Sequence, residues 1–219
     1  MALISIQSKT HLASPVILAP ERYDPRRQIK TQENEVVELG KIVISVKKIV
    51  KSSVNLGNFF VLDTSDAREG IVIARKQSLL GTEIGSTKKE VKSGDVIISR
   101  LRPYLRQVAF IDEEIPNANG TQILCSTEFF VLRSIDNRSI AFLVPFLLSN
   151  AIQEVLAASQ EGGHHPRFIE SALLTLPIPK SLLSQRSLIS EVVRNSVQMY
   201  RASEKSMSNM VEKINAMLS

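Results

Sequence analysis

Toward the end of the chain the apolar residues fall into a heptad rhythm. Val193, Val197, Tyr200, Met207, Val211, Ile214 and Leu218 recur at alternating steps of four and three, with Glu204 standing in the one missing place. That spacing puts one apolar stripe along a helix and suits contact with a second helix. Counted from Leu183, such a helix runs for roughly 50 Å. It outruns a typical globular helix, which leaves two arrangements: it folds back along its own domain, or it projects toward a partner. We expect projection, with these seven residues as the dimer or partner-helix contacts. Glu204, at a core-type position, weakens the seam and can set its register.

The rest of the chain reads differently. From Val36 to Arg133 short runs rich in β-branched and aromatic residues, VVELGKIVISV, FFVLDTS, GIVIARK, DVIISRL, QVAFI and EFFVLRS, alternate with turn-forming groups such as SDAREG, GSTKKEVKSGD and PNANGT. A helical stretch is expected from about Arg138 to Ser159, interrupted at Pro145. QEGGHHPR then breaks regular structure, and LLTLPIP reads as a short strand. The expected class is α/β of the α+β kind. Residues 1–35 form an N-terminal arm, residues 36–182 a mostly β domain, and residues 183–219 the helix. Hydrophobic residues make up 43% of the 219, enough for a substantial core.

Several function classes find no support. There is no glycine-rich phosphate loop, no GxSxG elbow and no metal-ligand spacing around His11, His164 and His165. Cys125, the only cysteine, lies in β-type sequence and reads as a core residue. One cysteine permits no internal disulfide, and the N-terminus lacks a signal-peptide pattern, so a cytoplasmic setting is expected. The most apolar run, Ile140 to Leu148, is about half the length of a membrane span. No metal, cofactor or membrane contact is expected for this chain.

Binding chemistry remains. The formal net charge is +5, compatible with a polyanionic partner. In KSGDVIISRLRPYLRQ an apolar strand runs into Arg100, Arg102 and Arg106, with Tyr104 among them and Lys88 and Lys89 on a preceding turn. On an extended strand Ile98, Arg100 and Arg102 share one face. A second basic group is GGHHPRF, which offers His164, His165 and Arg167. Guanidinium groups can grip guanine edges or phosphates, and lysines act on phosphates. These nine residues are the candidate DNA contacts. The alternative is a solvated basic surface that protects strand edges from aggregation.

The order of these segments resembles that of the specificity (S) subunit of type I restriction–modification systems, with one target recognition domain followed by one spacer helix. ELGKIVISVKKIVKS resembles the family's opening strand and turn, KSGDVIISRLRP its GD-apolar-apolar-S-R strand, and NGTQILCSTEFFVLR the following hairpin. LLTLPIPKSLLSQRSLI resembles the closing strand and the glutamine that opens the spacer, and ERYDPRR a short element preceding such domains. KSLLSQ departs from the family's usual second proline–leucine step, and the chain has length for one domain and one spacer where the usual subunit carries two of each.

The resemblance implies a curved, barrel-like recognition domain and a non-catalytic role. It implies double-stranded DNA as ligand and a methylase (M) subunit as partner, with a restriction (R) subunit in systems that cleave. S-adenosylmethionine would be held by the methylase and not by this chain. A half-sized subunit is expected to homodimerise through its helix, unless the chain is part of a longer polypeptide. The competing expectation is a protein-assembly module that acts through the helix without DNA specificity.

Overall fold

The computed structural model describes residues 6, 8, 23–27, 29, 35–50, 57–73, 79–115, 121–162 and 164–218. Most of the expected N-terminal arm lies outside the described residues. The order of elements is β1 (Val36–Glu38), β2 (Val43–Ser45), β3 (Ile49–Val50), β4 (Asn58–Leu62), β5 (Ala67–Arg68), β6 (Ile71–Val72), β7 (Leu79–Leu80), β8 (Lys88–Val91), β9 (Val96–Ser99), β10 (Val108–Phe110), β11 (Gln122–Ser126), β12 (Phe129–Ser134), α1 (Leu143–Leu148), α2 (Asn150–Ala158), β13 (Gln160–Glu161), β14 (Arg167–Phe168), α3 (Glu170–Leu174), β15 (Pro177–Pro179), α4 (Lys180–Ser184) and α5 (Arg186–Leu218). The chain is α+β, with a long C-terminal helix.

Two sheets form the body among the described residues: a four-stranded one in the order β10-β9-β12-β2 and a five-stranded one in the order β3-β8-β11-β4-β7. The pairings are antiparallel except β4 with β11, which is parallel. Strand side chains alternate between faces, and that alternation builds three layers. Val96 and Ile98 of β9 and Phe130 and Leu132 of β12 pack with Phe142, Leu147, Leu156 and Val197 from the helices. Ile97, Phe129 and Val131 point the other way and pack with Phe60, Leu62, Ile123 and Cys125 of the second sheet. Phe59, Val61 and Leu124 form a smaller outer cluster with Ile84. VIIS and FFVL are therefore continuously buried, because both of their faces are covered. Cys125 is fully buried, and burial pushes its thiol up to about 12.

Three local expectations need correction. Lys88 and Lys89 do not lie on a turn: they open β8, where Lys89 stands opposite Cys125 and Lys88 opposite Ser126. Charged residues hid the strand, whose apolar anchor is the buried Val91. The helical stretch breaks at Ser149, which is extended at ψ 145, and not at Pro145. Pro145 lies in the first turn of α1, where an N–H has no intrahelical acceptor to lose. The Gln160–Phe168 segment is not wholly irregular, because Gln160 pairs with Phe168 and Glu161 with Arg167; Gly163 lies outside the described residues.

The ends of the domain are tied together. β15 pairs with β1, Val37 opposite Ile178, so α4 and α5 start beside the place where the β body begins. The long helix starts at Arg186, not at Leu183, which lies in α4. Arg186 is buried and reaches back into the loop after β12. Its guanidinium donates to both carboxylate oxygens of Asp136, at 2.8 and 2.9 Å, and to the carbonyls of Ser139 and Arg138. Among the described residues no helix is long and apolar enough to cross a membrane.

Replacing Arg186 by Ala strips these acceptors of their donor; Asp136 is itself exposed, so the loss is that of hydrogen bonds from a buried guanidinium, about 2 kcal/mol. Urea unfolding monitored by circular dichroism is expected to show a lower midpoint by that measure. Arg138→Ala, an exposed pair to the same Asp136, is expected to stay within about 0.5 kcal/mol.

Candidate nucleic-acid interface

The strand within GDVIISR is fixed at both ends by its own residues. Gly94 adopts a positive φ of 88°, turning the chain into β9. The buried Asp95 accepts the Lys92 N–H at 2.8 Å and a two-pronged contact from Arg133 at 2.8 and 2.7 Å. At the other end Ser99 Oγ accepts the Leu101 N–H at 3.2 Å.

The strand stops there. Arg102 takes a left-handed conformation (φ 44°, ψ 68°), Pro103–Leu105 make one tight helical turn, and Arg106 is left-handed again (φ 52°, ψ 38°). The chain then returns as β10, with Val108 opposite Ile98. Arg102 therefore does not share a strand face with Ile98 and Arg100, as the alternation predicted. A left-handed residue with a side chain is uncommon and costs roughly 1 kcal/mol or more. The neighbouring contacts hold it in place: the Glu69 and Gly70 N–H groups donate to the Arg106 and Val108 carbonyls at 3.1 and 2.7 Å. Gly70, at φ 98°, is required on two counts, since a Cβ there would also stand 2.9 Å from Val144 Cγ1. The tip is left outside, with Tyr104 70% exposed.

Three turns meet at the base of this hairpin. The Arg100 N–H donates to the Glu128 carbonyl at 3.0 Å, and the Phe168 N–H donates to the Arg100 carbonyl at 3.2 Å. Leu101 bridges Arg167. The two basic groups read from the sequence are thus neighbours in space. Between them stands Glu128, from the β11–β12 turn. Its Oε2 accepts Arg100 Nε at 2.8 Å and Arg167 Nε at 2.9 Å, and its Oε1 accepts Arg167 Nη2 at 2.8 Å. The Arg167 and Arg100 guanidiniums hold this carboxyl well down, at about 2, against the effect of burial. Arg167 Nη1 also donates to the His165 carbonyl at 2.9 Å. Under the turn, Lys89 donates to the Phe129 carbonyl at 2.6 Å and lies 5.5 Å from the centre of the Phe130 ring; burial lowers its pKa.

The candidate residues sort by this geometry. Arg100, Arg167 and Lys89 are engaged within the chain. Arg106 lies 3.4 Å from the exposed Glu69, and Lys88 donates to Ser86 Oγ at 3.0 Å. Arg102, Tyr104, His164 and His165 are exposed. Sequence reasoning missed Glu128, whose arginine partners lie 28 and 39 positions away.

The heptad seam divides in two. Val197 is buried in the main core, with Val193 packed against it. Tyr200 is half-buried, and its hydroxyl donates to Glu204 at 2.9 Å. Arg201 pairs with the same Glu204 and, at 3.0 Å, with Asp112, and donates to the Val72 carbonyl at 2.8 Å. Asp112 is buried at this contact. From Lys205 to Leu218 every residue is exposed, including Met207, Val211, Ile214 and Leu218.

No protein-family profile matches the chain. Among curated proteins, the type I restriction enzyme EcoDI specificity subunit of Escherichia coli is 26% identical over 143 residues, 64% of this chain and 29% of that protein. A solved chain from work on complex assembly and conformational transition of the type I R-M system superposes with a TM-score of 0.59 at 24% identity. It is matched over 82% of this chain and 47% of its own length. The HsdS subunit from Thermoanaerobacter tengcongensis gives a TM-score of 0.52 at 22% identity, over 81% and 47%. The chain is similar to type I specificity subunits. The likeness read from the order of its motifs holds in sequence and in fold, and the chain spans less than half the length of each of these relatives.

The depressed Glu128 carboxyl sets a pH dependence. Its ion pairs contribute stability in full above the ordinary glutamate value of 4.5 and lose it as pH falls toward about 2. The difference in urea midpoint between wild type and Glu128→Gln is expected to be constant above that window and to shrink across it.

Proposed function

We propose that this chain is a non-catalytic DNA sequence-recognition subunit that binds a double-stranded half-site and positions an adenine methylase. The observation that carries the reading is the convergence of the two basic turns, at Leu101 and Arg167, on a rigid three-turn base, in a chain similar to type I specificity subunits. A base-reading surface needs donors held at fixed positions, and a strand-anchored hairpin holds them better than a free loop. Arg102, Tyr104, Arg106, His164 and His165 form the DNA-facing edge; Arg100, Arg167 and Lys89 support it. S-adenosylmethionine belongs to the methylase, and catalysis with it. The target base leaves the helix in that partner. The setting is cytoplasmic.

The exposed part of α5 is the partner surface. Two copies pairing through Met207, Val211, Ile214 and Leu218 would relate two recognition domains by a twofold axis and read an interrupted palindrome. A protein-assembly role without DNA preference would use the same helix and leave the hairpin tip idle.

Fluorescence anisotropy with duplex DNA is expected to show binding that weakens steeply with salt. Arg102→Ala is expected either to relax one base position by about 1–3 kcal/mol or to weaken all sequences alike, according to whether it meets a base or a phosphate. An unchanged salt profile and target preference would remove Arg102 from the interface. Sedimentation equilibrium at tens of micromolar protein is expected to show a dimer that dissociates on Ile214→Glu; a wild-type monomer, alone and with methylase, would exclude the pairing.

A further inference from the structure

We infer that Glu128 is a specificity-determining residue of this interface: by holding Arg100 and Arg167 in ion pairs, it keeps both from binding phosphates without regard to sequence. This rests on the DNA-recognition reading above.

The geometry is particular. Glu128 uses both oxygens, and Arg167 meets them with Nε and Nη2, the same forked edge that a guanidinium presents to a phosphate. Oε2 is shared, because Arg100 Nε reaches it at 2.8 Å. Two guanidiniums on one oxygen repel each other, and the carboxylate between them is what lets them stay. Without it they would separate toward solvent, where a nearby phosphate would be the strongest available acceptor. The pairs are also well placed to persist. Arg100 and Glu128 are tied through the backbone as well, and Arg167 is anchored a second time on the His165 carbonyl.

The consequence follows from how the two kinds of binding differ. Non-specific association is electrostatic and scales with the number of phosphates neutralised. Specific association adds base contacts, which need few donors at fixed positions. A cationic turn cluster of Arg100, Arg102, Arg106 and Arg167 would grip any duplex. A carboxylate beside it occupies two of the four, sets a negative charge against approaching phosphates, and leaves Arg102 and Arg106. Removing attraction from the wrong ligand raises the ratio between right and wrong sites as surely as adding a contact to the right one. The same carboxylate keeps the three turns in register, so charge suppression and positioning reside in one side chain.

The test uses the full chain and a labelled duplex of mixed sequence, titrated from about 50 to 200 mM salt. Glu128→Gln keeps the size of the side chain and removes its charge. It is expected to tighten non-specific binding and to steepen the slope of log K against log salt by about 1 to 2, one to two added phosphate contacts. Adding Arg167→Gln to that variant is expected to bring the slope back by about 1. An unchanged or shallower slope in Glu128→Gln overturns the assignment. A second measurement needs no variant. In wild-type protein the Nε–H resonances of Arg100 and Arg167 are expected to stay in place as the duplex is added, while that of Arg102 moves. If the Arg167 signal moves with that of Arg102, the arginine is a DNA ligand and the inference is lost. A wild-type chain with no salt-dependent duplex binding removes the DNA reading itself, and this inference with it. A wild type that binds while Glu128→Gln leaves the slope unchanged removes only the role of Glu128.

Discussion

Strands β9 and β12 are buried on both faces, and a sheet in that position requires a layer on each side. One face takes the helices, through Val96, Ile98, Phe130 and Leu132; the other takes the second sheet, through Ile97, Phe129 and Val131. Slipping either strand by one residue would exchange the two sets. The hairpin tip after β9 and the turn before β12 therefore have no freedom of register. Arg100, at the end of one strand, and Glu128, just before the other, meet because the double burial between Val96 and Ser99 has already set which residues stand opposite each other. The interface chemistry is a boundary condition of the core.

The parts of this architecture that were legible in the sequence are those set by local pattern. DVIISRL read as a strand because β-branched residues cluster between a Gly-Asp turn and an arginine, and Val96, Ile97 and Ile98 are buried. Cys125 read as core and is core. The long helix read from its heptad spacing, four and three over several turns. What escaped was decided at a distance or by backbone conformation. β8 carries two lysines and a glutamate, and only pairing with β3 and β11 makes it a strand. Arg102 looked like the next residue of an extended run, but the left-handed turn around Pro103–Leu105 sends it elsewhere, and periodicity does not report positive φ.

The charged residues show the same division more sharply. Arg100 and Arg167 were both singled out for their chemistry, and they are neighbours. The carboxylate that joins them gave no signal, since one glutamate beside an apolar run is ordinary. Arg201 and Asp112 are 89 positions apart, and neither belongs to a recognisable motif. Residue type marked where cations gather; it did not mark which of them the protein had already neutralised.

The division of α5 has a geometric consequence. Up to Arg201 the helix is held by the body, and beyond Glu204 its described residues are exposed. A rigid rod anchored at one end converts sequence length into both distance and direction. One inserted residue in the exposed part would carry the tip forward by about 1.5 Å and swing its apolar stripe by about 100°. An insertion of about seven residues is the shortest that returns the stripe near its original bearing, roughly 10 Å farther out. The exposed part of the helix thus carries its apolar stripe outward in steps of about one heptad.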